Sequence, residues 1–371
     1  MGVYLYYHTL LIMKFPKILA LMLAGALSAV FSVADACTSA IVSGKATASG
    51  RPILWKNRDT SADGNFLYRV ENPGQIGYVG LFNGSDSLDL SEAWMGMNDA
   101  GFAIMNTVAY NLPENDPEWI DREGIVMARA LATCRTVDDF EELLRTLPKP
   151  LGVRTNFGVL DAAGNGAYFE TDDWNYERFD LKDAPDGILI RTNYAYSGQP
   201  DEGMGYIRHA NVEYILKDEI ATHSITPASL TEDVSRSFYH SVLGNDMLEM
   251  GDSWTIDQDF VPRRSTQATV AIEGMLPGES PEAQIMWANL GYPPCGHVVA
   301  VTLDHIPAEA LPAGGEAGYR SPMSLVADEL KLSVFPMVRG NGSHYIHLDA
   351  LRPIIEEQYK ISLGNYANAR R

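Results

Sequence analysis

Cys37-Thr38-Ser39-Ala40-Ile41-Val42-Ser43, the stretch Gly44-Lys45-Ala46-Thr47-Ala48-Ser49-Gly50-Arg51, and Pro52-Ile53-Leu54-Trp55-Lys56-Asn57-Arg58-Asp59 decide how this chain folds. The outer runs concentrate β-branched and large apolar residues around small, turn-prone ones, which predicts an antiparallel hairpin reversing near Thr47-Ala48. Pairing centred there sets Cys37 opposite Arg58, give or take one residue, with Asp59 alongside.

Upstream, Ile18 to Ala34 is free of charge, follows Lys14 and Lys17, and ends in Ala34-Asp35-Ala36. A spanning helix needs roughly 20 apolar residues. A basic start, a short apolar run and small residues at a cleavage position instead predict a secretory signal over residues 1–36, cut before Cys37. Met13 would be a natural start for such a signal. An uncleaved anchor is one competing reading. A lipoprotein is another, but its acylated Cys would follow a Leu and a small neutral residue where this chain has Ala34 and Asp35. The expectation is export to the periplasm or the extracellular space, with no stable membrane insertion after processing.

The composition is that of a globular protein: 371 residues, 46% hydrophobic and 20% charged, with a net charge of −20. Such acidity repels phosphate backbones and anionic lipid, which disfavours a nucleic-acid partner. Three cysteines are too few, and odd in number, for a disulfide framework. Cys134 and Cys295 read as buried small apolar residues. Cys37 is left as the thiol that needs an explanation.

The remaining chain predicts strands in IGYVGLF, EAWMGMN and GFAIMNTVAY, and one helical block over residues 123–147. NFGVLDAAGNGAYFET and DGILIRTNYA follow as two strand pairings with Gly-Asn-Gly and Asp-Gly turns. Residues 203–250 read as mostly helical. RRSTQATVAIEGM and GHVVAVTLDHI return to strand, and LDALRPIIEEQYKISLGNYANA closes as a helix. There is no repeat or long linker, so residues 37–371 form a single domain of α+β type.

A cysteine that becomes the first residue owns both a nucleophile and a base. Its α-amine, with a pKa of about 7.7–8.0, is partly neutral near neutrality and can take the thiol proton. As an amide before cleavage, the same nitrogen has no basicity. Asp59 is placed to orient the amine, and a neighbouring cation to favour the thiolate. None of the eight histidines makes a Cys-His motif.

These residues resemble the opening of N-terminal-nucleophile (Ntn) cysteine hydrolases. The likeness is to the choloylglycine hydrolase and penicillin V acylase group and to acyl-CoA:6-aminopenicillanate acyltransferase-like proteins. Members begin Cys-Thr and carry Gly-Arg-Asn-x-Asp on the second strand; Trp55-Lys56-Asn57-Arg58-Asp59 is similar. Asp59 matches the family aspartate, while Lys56 stands where Arg is usual, so Lys56 or Arg58 fills that substrate-binding role. Gly96-Met97-Asn98-Asp99-Ala100-Gly101-Phe102 is similar to the family's Gly-x-Asn-x-x-Gly, and Asn106 falls near a polar oxyanion-hole residue. The hairpin ending at Glu170 also matches. Arg191-Thr192-Asn193-Tyr194 resembles the Thr-Asn pair whose Asn, here Asn193, donates to the oxyanion. Pro262-Arg263-Arg264-Ser265-Thr266 resembles the Arg-Ser segment, bringing catalytic Arg264, or else Arg263, to the site. Trp287 with Leu290-Gly291-Tyr292-Pro293 extends the likeness to about residue 305.

The resemblance implies a four-layer αββα Ntn-hydrolase sandwich and a Cys37 thioester mechanism on an N-acyl amide small molecule, with no metal or cofactor. Acyltransferase and dipeptidase chemistry on the same scaffold remain open, as does a homo-oligomer. A non-enzymatic envelope protein acylated at Cys37 is the alternative of a different kind. Taken without the resemblance, Asn193 reads as a turn residue, His344 and His347 as surface histidines, and His297 and His305 as structural. Trp55, Trp94, Tyr110, Trp119 and Trp174 read as core or pocket wall.

Overall fold

The computed structural model describes residues 37–113, 121–315, 318–341 and 343–369. The expected signal with Met13, Lys14 and Lys17, and also Trp119, lie outside the described residues. In chain order the strands are β1 (Thr38–Val42), β2 (Ile53–Asp59), β3 (Phe66–Val70), β4 (Tyr78–Phe82), β5 (Met95–Asn98), β6 (Ala103–Val108), β7 (Thr155–Leu160), β8 (Gly166–Thr171), β9 (Tyr176–Asp180) and β10 (Ile188–Arg191). After them come β11 (Tyr239–His240), β12 (Asn245–Asp246), β13 (Trp254–Ile256), β14 (Thr266–Glu273), β15 (Ile285–Leu290), β16 (Val299–Val301) and β17 (Tyr345–His347). A seven-stranded sheet runs β3 through β9 in sequence, and a six-stranded sheet is ordered β10-β1-β2-β14-β15-β16.

Alternation along β1 and β2 explains the layering, because successive side chains point to opposite faces. Ile41 and Leu54 meet Leu67, Val79, Met95, Met105 and Leu160 of the seven-stranded sheet, forming a core between the two sheets. Ala40, Val42, Ile53 and Trp55 point the other way and pack on Val212, Leu216, Leu230 and Val234 of the helical layer. On the far side, the helices Glu123–Thr133 and Val137–Thr146 cover Phe102, Ile104, Phe157 and Phe169. Helix, sheet, sheet, helix is the expected αββα order.

The β1–β2 register pairs Thr38 with Asn57, so one step further sets Cys37 across from Arg58 as the hairpin arithmetic expects. Several local expectations need correction. The helical block 123–147 is two helices: Cys134 ends the first with its N–H on Ala130 O, and Thr136 starts the second with a capping box to Asp139. Asp186-Gly187 does not close a hairpin. β9 stays on the edge of the seven-stranded sheet while β10 crosses to pair with β1. Within 203–250, helix is confined to Tyr206–Ile215, Lys217–Thr222 and the π-helical turn Ser229–Val234. The strands β3, β9, β11, β12, β13, β15 and β17 and the helix Pro322–Val334 are additional to the expected elements. No helix among the described residues is long and apolar enough to cross a membrane.

Candidate active site

Cys37 precedes β1 and is 5% exposed, with its Sγ 3.8 Å from the main-chain oxygen of Asp59. Burial pushes the thiol up; Lys56 pulls it down, Asp59 pushes it up and Arg58 pulls it down. The Asp59 carboxylate is held by Arg263 and Thr266. Oδ2 accepts from Arg263 Nε at 3.0 Å and Nη2 at 2.5 Å, and Oδ1 accepts the Thr266 hydroxyl at 2.5 Å. The main chain of Asp59 meets the Cys37 sulfur, and the Asp59 charge also acts on the thiol.

Of the two adjacent arginines, Arg263 reaches Asp59. Arg264 has an exposed side chain, and only its main-chain N–H is held, by Asp257 Oδ2 at 3.0 Å. Of the two candidates, Arg264 and Arg263, it is the Arg263 side chain that contacts Asp59. β14 follows this turn and pairs with β2, which explains why it is the Arg263–Thr266 turn that lands on Asp59.

Lys56 and Arg58 both lie on the Cys37 face of β2, towards the other sheet. Lys56 Nζ donates to Asn106 Oδ1 at 2.6 Å and to Trp94 O at 3.2 Å. Arg58 donates to Asn65 and Asn83 and lies 4.8 Å over the Trp94 ring. Asn106, expected as an oxyanion donor, turns its amide N–H groups to Glu123 and to Thr155 Oγ1. It is a link between Lys56 and Glu123, and an oxyanion role would require those bonds to be given up. Burial, with help from Asp121, pushes the Glu123 carboxyl up to about 8.

Asn193 follows β10, fully buried, with its Nδ2 on Val108 O at 2.9 Å and its Oδ1 accepting from Arg208 Nη2 at 2.7 Å. Arg208 was not apparent from the sequence. It is 1% exposed, and its other terminal nitrogen donates to Cys37 O at 2.7 Å and Thr38 Oγ1 at 2.8 Å. Glu123 was missed for the same reason: a charged residue within a helical pattern reads as solvated face.

Glu170 forms a buried ion pair with Arg191 at 2.7 Å and accepts the main-chain N–H groups of Tyr196 and Ser197. Cys134 and Cys295 are buried thiols. His347 stacks on Trp254 at 4.2 Å, and His297 lies between Gln358 and Glu309. Trp55 is core, whereas Trp174 is 63% exposed.

Two apposed antiparallel sheets between layers of helix, with Cys37 heading β1, have the αββα arrangement expected of the Ntn-hydrolase group. Residues 47–232, half of the chain, match the family described as acyl-coenzyme A:6-aminopenicillanic acid acyl-transferase, and the chain belongs to that family. The matched stretch begins downstream of Cys37. Among solved structures, the chain is similar to the Caenorhabditis elegans ortholog of N-acylethanolamine-hydrolyzing acid amidase, with 15% identity over 65% of this chain and 94% of that one and a TM-score of 0.44. It is also similar to a variant of conjugated bile acid hydrolase from Clostridium perfringens, with 13% identity, 72% and 92% coverage and a TM-score of 0.45. Penicillin V acylase from Agrobacterium tumefaciens has 13% identity, 73% and 87% coverage and a TM-score of 0.38. No curated protein sequence matches.

Proposed function

We propose that this protein is an exported cysteine amidohydrolase that cleaves linear amide bonds of N-acyl small molecules once the chain begins at Cys37. The reading is carried by the position of Cys37, buried at the head of β1 with its sulfur against Asp59 O. The α-amine freed by processing accepts the thiol proton as sulfur bonds to the substrate carbonyl carbon. Charge then develops on the carbonyl oxygen. Asn193 has two amide N–H groups and spends one on Val108 O, which supports it as the oxyanion donor. A donor of this kind is worth about 2.7–4 kcal/mol.

Collapse of the tetrahedral species breaks the C–N bond, and the ammonium returns its proton to the departing amine. Water, deprotonated by the same α-amine, then attacks the thioester and releases the acid and the thiol. Lys56 and Arg58 supply positive potential on the substrate side of the sulfur, and Arg263 holds Asp59. An amine acceptor that outcompetes water would make the same thioester an acyltransferase intermediate. The family description favours keeping this second reading.

The test uses the protein secreted and processed by its host. Mass analysis of the mature N-terminus should give an unmodified Cys37; a diacylglyceryl group there would instead identify a lipid anchor. The wild type, Cys37→Ala and Cys37→Ser are then assayed against conjugated bile salts, penicillin V, N-acyl amino acids and dipeptides, with and without added amine. Cys37→Ala should abolish every activity found and Cys37→Ser nearly so. Turnover persisting in the alanine variant would refute the assignment.

A further inference from the structure

Arg208 sits on the helix Tyr206–Ile215, whose inward face is Arg208, Asn211 and Val212. Its guanidinium is an all-donor fork. One prong holds Cys37 O and Thr38 Oγ1, and the other holds Asn193 Oδ1, at 2.7, 2.8 and 2.7 Å. All three are neutral oxygens. Because Arg208 can only donate, the Asn193 atom facing it has to be the amide oxygen. Because the Val108 carbonyl can only accept, the atom facing that has to be the amide nitrogen. The side-chain orientation of Asn193 is thus fixed from both ends.

The approach is built into the backbone. Gly205 adopts φ +93° at the helix start, and a Cβ there would lie 2.5 Å from Arg208 Nη2 and 2.7 Å from Thr192 Oγ1. Only glycine leaves room for the guanidinium while taking that conformation readily. Burial, and Arg263 nearby, pull the guanidinium down to about 10, which still leaves it charged at neutral pH.

The structure assigns to Arg208 the part of a positioning residue that locks the main chain of the nucleophilic residue to the oxyanion donor, holding the Asn193 amide N–H towards the reacting carbonyl. This rests on the proposed reading of Cys37 and Asn193. Lysine cannot reproduce the arrangement, since a single ammonium cannot span both prongs. An asparagine free to flip by half a turn would present its oxygen to a developing oxyanion and repel it.

The experiment is a double-mutant cycle in the processed full-length protein, using the N-acyl amide that the wild type hydrolyses fastest. Arg208→Met should lower kcat about 100-fold with KM within about twofold, since one oxyanion donor is worth that order. In an Asn193→Ala background the same substitution should cost less than about threefold, because residues that act through one another are not additive. A full 100-fold loss in that background, or an unchanged kcat in Arg208→Met, would overturn the assignment. If Arg208→Met does not accumulate folded, Arg208→Lys decides. It should melt as the wild type does and lose about tenfold in kcat, and an undiminished kcat there overturns the proposal equally. Loss of the underlying reading has a different signature, namely Cys37→Ala as active as the wild type. Dependence on Cys37 without dependence on Arg208 removes only the inference drawn here.

Discussion

Asp59 and Arg263, 204 residues apart, meet through one carboxylate oxygen: Oδ2 takes both the Nε and Nη2 of the guanidinium, at 3.0 and 2.5 Å. The two partners differ in exposure, with the Asp59 side chain 1% and the Arg263 side chain 23% accessible. The pair therefore joins the end of β2 to the turn before β14 and keeps the main chain beneath Cys37 in place. Its energetics are asymmetric. Without Arg263, Asp59 would be a buried charge that has lost its cation and keeps the Thr266 hydroxyl, while Arg263 without Asp59 can turn to water.

Arg263→Ala should accordingly destabilise the protein by about 3 kcal/mol, the low end for breaking a buried pair. Asp59→Asn should cost about 1 kcal/mol, the ordinary value of a weakened hydrogen bond. Urea unfolding of both variants checks the order. Asp59→Asn should also lower turnover while the protein stays folded, and unchanged kinetics would remove its role at the site.

Much of this was legible in the hairpin alone. Apolar runs flanking a small-residue turn specify β1 and β2, and symmetry about the turn gives the Cys37–Arg58 register without tertiary information. Asp186-Gly187 shows the limit of that reasoning. Turn chemistry says that the chain bends there, but not which sheet the next strand joins, and β10 chose β1 over β9. Arg263 and Arg264 are indistinguishable by type; the Arg263–Thr266 turn, closed by the Thr266 N–H on Arg263 O, decides which one points to Asp59. Arg208 was hidden for a stronger reason. Its burial is created by partners from distant segments, such as Cys37 O at a separation of 171 residues, and no local pattern records that.

Asn98, legible only as part of a family-like motif, has a structural task. Its Oδ1 accepts from the N–H groups of Ala100 and Phe102, and its Nδ2 donates to Leu131 O and Cys134 O at the end of a helix. It thus ties the tight β5–β6 turn, with Gly101 at φ +84°, to helix carbonyls that lack intrahelical partners. Asn98→Ala should cost about 3 kcal/mol, as several buried groups lose partners at once. The loss should appear in the urea midpoint, with kcat per folded molecule unchanged. A stability within about 0.5 kcal/mol of the wild type, the range of a neutral surface change, would contradict this role.

The break at Cys134-Arg135-Thr136 depends on the reciprocal cap between Thr136 and Asp139: the Asp139 N–H donates to Thr136 Oγ1 at 3.0 Å, and the Thr136 N–H to Asp139 Oδ2 at 3.0 Å. Apolar periodicity continues on both sides of it, which is why the sequence pattern reads as a single helix. Thr136→Ala should lower stability by about 1 kcal/mol. Thr136→Ser should be nearly neutral, since it keeps the accepting oxygen. Equal losses in the two variants would mean that the threonine methyl, rather than its hydroxyl, matters.

Glu123 predicts a pH dependence. It is fully buried, bonded to Asn106 on one oxygen and accepting from Arg154 N at 3.4 Å on the other, with its carboxyl pushed up to about 8. Unfolded, the same group titrates near 4.3. Between these values the folded state holds a proton that the unfolded chain has released, so stability falls as pH rises through the interval. The slope contributed by one such group is at most about 1.4 kcal/mol per pH unit, and it vanishes below the unfolded value and above the folded one. Glu123→Gln cannot titrate and should remove that contribution, leaving any constant packing cost the same at every pH. Urea unfolding at pH 5 and pH 7.5 should therefore show the variant gaining on the wild type as pH rises. Parallel pH profiles for the two proteins would mean that Glu123 is already ionised in the folded state, with Lys56, reached through Asn106, stabilising its charge.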